Sequence, residues 1–142
     1  MLSAKFYEGL EAVLYVALNA GASPVSSKDI CASQGQLPRH LEPILQLFVK
    51  NGILKGTKGP RGGYALAREK RKINLAELYS IFEEGFVSKG KASALKKNII
   101  KPIYSEIEKI NLAFMENITV EDLCRDAVAA GGGEKESENF NI

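Results

Sequence analysis

The sequence predicts a mainly α fold carrying one β-hairpin, and three observations support that prediction. Apolar residues recur at steps of three and four in one segment after another. A glycine-rich stretch, KGTKGPRGGYAL, lies between two short apolar runs. A single apolar stripe then continues from Leu95 to Ile118, far longer than the helices before it.

The first helix is expected from about Ser3 to Ala20, with Phe6, Leu10, Val13, Leu14, Ala17 and Leu18 on one face. Gly21 and Pro24 end it. Ser26 or Ser27 can cap a short second helix, SKDICASQ, which Gly35 closes. Pro38 opens a third helix, RHLEPILQLFVKN, whose apolar face is Leu41, Ile44, Leu45, Phe48 and Val49 and which stops at Gly52. Pro43 is tolerable there because it lies in the opening turns. Ile53–Lys55 and Tyr64–Leu66 flank the glycine stretch as strand candidates, so the pair reads as a β-hairpin. A fourth helix begins near Asn74 with Leu75, Leu78, Tyr79 and Phe82 on its apolar side.

From Gly85 to Gly90 the pattern lapses into a loop, and then one long helix follows. Its stripe is Leu95, Ile99, Ile103, Ile107, Ile110, Phe114 and Ile118, widened by Ile100, Tyr104 and Met115. The small domain before it cannot cover a helix apolar along its whole length, so the natural partner is a second copy, packed as a two-helix seam. Pro102 bends this helix or sets its true start. Thr119 caps a last short helix, VEDLCRDAVAA, and the tail after it has the composition of a disordered segment. The expected division is residues 1–84, 85–130 and 131–142: a DNA-binding unit, a dimerisation unit with the short last helix, and a tail. Helix, helix–turn–helix, hairpin is the order of a winged helix-turn-helix domain, here followed by a long C-terminal dimerisation helix.

Charge supports a polyanion partner. The 142 residues carry 19 Lys and Arg against 17 Asp and Glu, a net +2. The first 72 residues hold 11 of the cations and 5 of the acids, so a basic half precedes an acidic one. No run approaches the ~18 apolar residues of a membrane span, and acids interrupt the apolar N-terminal segment, unlike a signal peptide. The two cysteines, Cys31 and Cys124, fit a reducing cytoplasm rather than a disulfide framework.

The glycine stretch is not a nucleotide loop. It contains no Gly-Lys-Ser/Thr and leads into a strand rather than a helix. As a hairpin tip, Gly59 and Gly62-Gly63 would supply positive φ while Lys58 and Arg61 project outward. No second histidine exists to build a Ser–His–acid arrangement, so the chain does not read as an enzyme.

VSSKDICASQG followed by LPRHLEPILQLFVKNGILKGTKGPRGGYALAR resembles the DNA-binding region of the Rrf2 family of bacterial winged-helix transcriptional regulators. The resemblance runs from about Leu2 to Glu84 and returns at ENITVEDL, residues 116–123. It implies a homodimeric repressor or activator; a repressor bound to a palindromic operator is the expectation adopted for this chain. It also implies that the helix starting near Leu37 enters the major groove. Pro38, Arg39, His40 and Glu42 would then face bases, with Lys28, Lys58 and Arg61 holding phosphates or the minor groove. The cluster-bearing members carry three cysteines at the start of the long helix, often with a nearby histidine. Here GFVSKGKASALKKNIIK, residues 85–101, has no cysteine, and the last Cys-x-x-His becomes Asn98-x-x-Lys101. Lys91, Lys96, Lys97 and Lys101 are not iron ligands, so no standard iron–sulfur cluster is expected and no other cofactor is implied. Some members use an acid of the first helix, where Glu8 falls. Two alternatives stay open beside the cluster-free regulator: control by a protein co-regulator, and a redox or metal sensor built on Cys31, Cys124 or Glu8.

Overall fold

Among the described residues, four of the six α-helices begin on a side-chain cap that satisfies a free N–H, and the other two carry a proline in their first turn, which removes one. The computed structural model describes residues 2–83 and 90–131. Helix α1 is Ala4–Asn19, capped by Ser3, whose hydroxyl accepts from the Phe6 amide at 3.1 Å. Helix α2 is Ser27–Gln34, capped by Ser26 through the Asp29 amide and closed by Gly35. Helix α3, Pro38–Lys50, starts on proline and has no side-chain cap. The hairpin strands are β1, Leu54–Thr57, and β2, Gly63–Leu66. A 3-10 turn at Lys70–Lys72, which the sequence pattern did not announce, leads to α4, Leu75–Phe82, capped by Asn74. Helix α5 is Lys101–Glu116 and α6 is Val120–Ala129. The loop expected at residues 85–89 and the tail after Gly131 lie outside the described residues.

One buried cluster joins all six helices and the hairpin. Val13 and Val16 of α1, Ile30 of α2, Leu41, Leu45 and Phe48 of α3, Leu54 of β1, Leu78 of α4 and Val120 of α6 are fully buried. Each large side chain of this set contributes about 1.5–3 kcal/mol by leaving water. Phe6, Phe48, Tyr79 and Phe82 meet edge to face or tilted, with ring centres 5.2–6.2 Å apart. Cys124 and Met115 belong to the same cluster, so the C-terminal helix packs back onto the N-terminal elements. A short backbone bridge fixes that return: the Leu75 amide donates to the Ile118 carbonyl and the Val120 amide to the Ile73 carbonyl, both at 2.8 Å.

The structure corrects three expectations. The strands sit nearer the hairpin tip than Ile53–Lys55 and Tyr64–Leu66, because pairing runs on through Gly56–Tyr64 and Thr57–Gly63. Ile53 is instead a buried core residue. The long helix is continuous over residues 94–116, but Lys96–Ile100 is a π turn in which the Lys101 amide bonds to the Lys96 carbonyl. Pro102, at the second position of α5, has no amide to extend the ladder, and the wider turn lies just before it. Steps of four from Leu95 to Ile107 would carry the stripe about 120° around a regular α-helix, and the π turn absorbs part of that drift. Finally, Met115 does not widen the exposed seam: it is buried against the core, while Ile118 lies beyond the end of α5.

At the start of α6 the Thr119 hydroxyl accepts from the Asp122 amide at 3.1 Å, and Asp122 Oδ2 accepts from the Thr119 amide at 3.0 Å. Removing this cap with Thr119→Ala should lower stability by about 1 kcal/mol in urea unfolding. The donation from Thr119, chiefly its backbone N–H, holds the Asp122 carboxyl below the usual carboxylate range. A carboxyl depressed on folding stabilises above its unfolded pKa and loses that contribution as pH falls through the folded one. Asp122→Asn should therefore be less stable than wild type near neutral pH, with the gap closing below about pH 4.

Candidate nucleic-acid interface

The sequence of α3 divides the helix into two faces. Leu41, Ile44, Leu45 and Phe48 point into the core. Arg39, Glu42, Pro43, Gln46 and Lys50, spaced three or four apart around the opposite side, are exposed. Pro38 is exposed at the helix start, and the helix continues through Pro43 on its solvent face. His40 is also exposed, but it lies about 100° around the helix from Arg39. Glu42 is tied to α2, where the Ser27 hydroxyl donates to its Oε1 at 3.3 Å. Lys28 is exposed in the first turn of α2.

The hairpin stands beside this face. Its tip is a four-residue turn in which the Gly62 amide donates to the Gly59 carbonyl at 2.9 Å, with Pro60 second and Arg61 third. Lys58 and Arg61 are exposed on it. Gly59 and Gly63 have positive φ, 105° and 154°. Gly62, expected to share that property, is needed for a different reason: a Cβ there would lie 2.1 Å from the Thr57 carbonyl oxygen.

The base of the hairpin is joined to the helices through Val25, just before α2. Val25 and Tyr64 exchange both backbone hydrogen bonds, at 2.8 and 2.7 Å. The strands can approach this closely because residue 63 has no side chain, since a Cβ would sit 2.1 Å from the Val25 carbonyl oxygen. The Tyr64 ring is then buried, and its hydroxyl meets Gln46 Nε2 of α3 at 2.9 Å. Between helix and hairpin lies a cleft of about 500 Å³ lined by Ser26, Ser27, Gln46, Val49, Lys58 and Tyr64, among others.

Electrostatics leave this surface basic. Arg68 pairs with Glu77 and Arg71 with Glu69 elsewhere on the molecule. Among the described residues no carboxylate pairs with Lys28, Arg39, Lys58 or Arg61. The arrangement offers cationic and amide donors on a convex helix and a narrow tip, suited to a polyanion with grooves. Gln46 and Lys50 were not singled out by the sequence reading. Counting seven and eleven residues on from Arg39 would have found them, since those steps return to the same helix face.

The other candidate residues are dispersed. Cys31 and Cys124 are both buried, on α2 and α6. Burial raises the pKa of Cys124, with Glu121 adding and Lys70 opposing, so the thiol stays protonated. Glu8 Oε1 accepts from Gln36 Nε2 at 3.3 Å. Among the described residues no three His, Cys, Asp or Glu side chains converge where a metal could sit.

The long helix has its own division. Tyr79, buried on α4, donates to both carboxylate oxygens of Glu108 at 3.1 and 2.9 Å. Burial first, then acceptance by Glu83 and Glu108, raises the Tyr79 pKa well above the tyrosine range, so it remains a donor. This contact and Met115 anchor the C-terminal half. Every residue from Gly90 to Ile103 is exposed, and Leu95, Ile99, Ile103, Ile110 and Phe114 are each more than half exposed, with Ile107 at 37%.

A family model, Rrf2, described as an iron-dependent transcriptional regulator, matches residues 2–126. The HTH-type transcriptional regulator IscR of Escherichia coli is 30% identical over 127 residues, which cover 86% of this chain and 78% of that one. Among solved structures, IscR of T. potens superposes with a TM-score of 0.75 at 28% identity, covering 97% and 96% of the two chains. CymR, the global cysteine regulator of B. subtilis, shares the fold with a TM-score of 0.65 at 22% identity, covering 88% and 96%. No described helix is long and apolar enough to cross a membrane.

Gly63→Ala should destabilise the domain by more than about 1 kcal/mol, because the new Cβ meets only backbone atoms of Val25 and Ser26. Gly56→Ala is the control: its Cβ would lie in ordinary contact, 3.7 Å from the Tyr64 ring. Its stability should stay within about 0.5 kcal/mol of wild type. Urea unfolding of the two variants checks both.

Proposed function

The chain belongs to the Rrf2 family of DNA-binding transcriptional regulators, and we propose that it acts as a homodimeric repressor that binds a palindromic operator without a resident iron–sulfur cluster. The observation that carries this reading is the pairing of one exposed helix face with one cationic hairpin tip across a single cleft. In this reading α3 enters the major groove. Arg39 can make a bidentate contact to guanine and Glu42 can accept from cytosine N4. His40, on the flank of α3, serves the backbone rather than a base. Lys28 at the start of α2 and Lys58 and Arg61 on the wing contact phosphates or the minor groove.

Dimerisation is supported by the exposed α5 stripe. A continuous apolar face along a helix of about 35 Å is more than a soluble monomer keeps open. A second copy covers it with the same residues and leaves two α3 helices for two half-sites.

Operation without a cluster is supported by chemistry rather than by any vacancy. Iron–sulfur clusters need thiolates, and residues 85–101 supply lysines instead. The two thiols present are buried on separate helices. The same burial weighs against a sensor built on Cys31 or Cys124, and the bond from Gln36 engages Glu8.

Two measurements test this reading. In fluorescence anisotropy across a salt series, Arg61→Ala should weaken all duplexes alike and lower the salt slope by about one unit. Arg39→Ala should instead cost about 1–3 kcal/mol on the operator and relax base discrimination. Chelator should change neither wild-type affinity nor specificity. If neither variant alters affinity, the surface is not the DNA site. Ile103→Glu with Ile107→Glu should give folded monomers by sedimentation, since both side chains are exposed in the protomer. Operator affinity should fall with the dimer, and a double variant still dimeric at micromolar concentration would contradict the seam.

A further inference from the structure

We infer that Gln46 reads an adenine in the major groove and that Tyr64, reaching from the wing, holds its amide in the reading orientation. The inference rests on the DNA-binding reading above and deepens it by naming a base and the residue that selects it.

Gln46 lies on the exposed face of α3, on the same side as Arg39 and Glu42. It borders the cleft between helix and wing, where a base edge would enter. A glutamine side chain free in solvent rotates through many states, and ordering it for a contact costs conformational entropy. Here Nε2 is fixed 2.9 Å from the Tyr64 hydroxyl. Tyr64 is itself fixed by its buried ring and by the two backbone bonds to Val25. The anchor is therefore part of the core, while the anchored group faces outward.

The hydrogen-bond inventory of the amide matches adenine. A primary amide has two N–H donors and one carbonyl acceptor. One N–H goes to Tyr64. The other N–H and Oε1 remain as an adjacent donor–acceptor pair. That pair is what adenine needs in the major groove, with N7 accepting and N6–H donating. Guanine presents two acceptors there and would face Oε1 with O6, so it is rejected. Gln46 thus discriminates by direct contact, and Tyr64 is a positioning residue that acts through it.

The test is selection from a pool of randomised duplexes, with relative affinity resolved at each base position for wild type and three variants. Wild type should prefer adenine at one position of each half-site. Gln46→Ala should lower that preference by roughly tenfold or more and leave other positions and the salt slope unchanged. Gln46→Glu keeps an acceptor but loses the donor to N7, so it should shift the position toward cytosine, whose N4 donates. Tyr64→Phe, confirmed as folded by thermal melting, should weaken the preference at the same position only, and should have no further effect beside Gln46→Ala. Unchanged preferences in Gln46→Ala would overturn the inference. So would a Tyr64→Phe variant that loses affinity evenly at all positions, since Tyr64 would then place the wing alone. Wild-type protein with no preference among duplexes would instead sink the regulator reading itself, and this inference with it.

Discussion

The two backbone hydrogen bonds between Val25 and Tyr64 are the constraint on which the candidate interface depends. They connect the segment entering α2 to the second strand of the wing, and so turn a marginal two-stranded hairpin into part of the core. Gly63 permits the approach, and the approach buries the Tyr64 ring. Burial of the ring delivers its hydroxyl to Gln46 on α3. Without this chain of contacts the tip bearing Lys58 and Arg61 would be a flexible loop. With it, helix and tip keep a fixed separation across one cleft, and a duplex can meet both without either paying fully for its own ordering.

The long helix depends on a different anchor. Its C-terminal half is held by Met115 and by the bond from Tyr79 to Glu108, whereas its N-terminal half projects with lysines and isoleucines exposed together. The projecting half carries Lys91, Lys96, Lys97 and Lys101. The family is described as iron-dependent, and in this chain both thiols are buried. Fold and family are thus shared with those regulators, and the absence of a cluster remains part of the proposed reading.

Local features were legible in the sequence and distant ones were not. Ser26 and Thr119 were legible as helix caps because a cap involves residues three apart, and three residues fit in any reading window. Ser3 and Asn74 marked the starts of their helices in the sequence and prove to be caps as well. The hairpin was legible from its glycines, but its strand limits were not, because pairing of Thr57 with Gly63 depends on the partner strand. Gly62 was assigned the wrong reason since a clash with the Thr57 carbonyl cannot be seen without the turn closed. The π turn follows from Pro102 and the drift of the Leu95 stripe, two facts present in the sequence but not joined there. Gln46 passed unnoticed because a polar residue on an amphipathic helix reads as ordinary solvent surface. Only the Tyr64 hydroxyl beside it distinguishes it from other exposed residues. The contact between Val25 and Tyr64 links segments with no shared local pattern, so nothing in the sequence marks it.

Native-state hydrogen exchange of the free protein tests the central claim most directly. If the Val25–Tyr64 bridge makes the wing base part of the core, the amides of Val25 and Tyr64 will exchange only with global unfolding, as slowly as those of buried α3 residues. The amide of Arg61 at the tip will exchange by local opening, orders of magnitude faster. Exchange of the Tyr64 amide at the rate of the tip, with α3 still protected, would contradict the account, because the wing would then be a mobile loop.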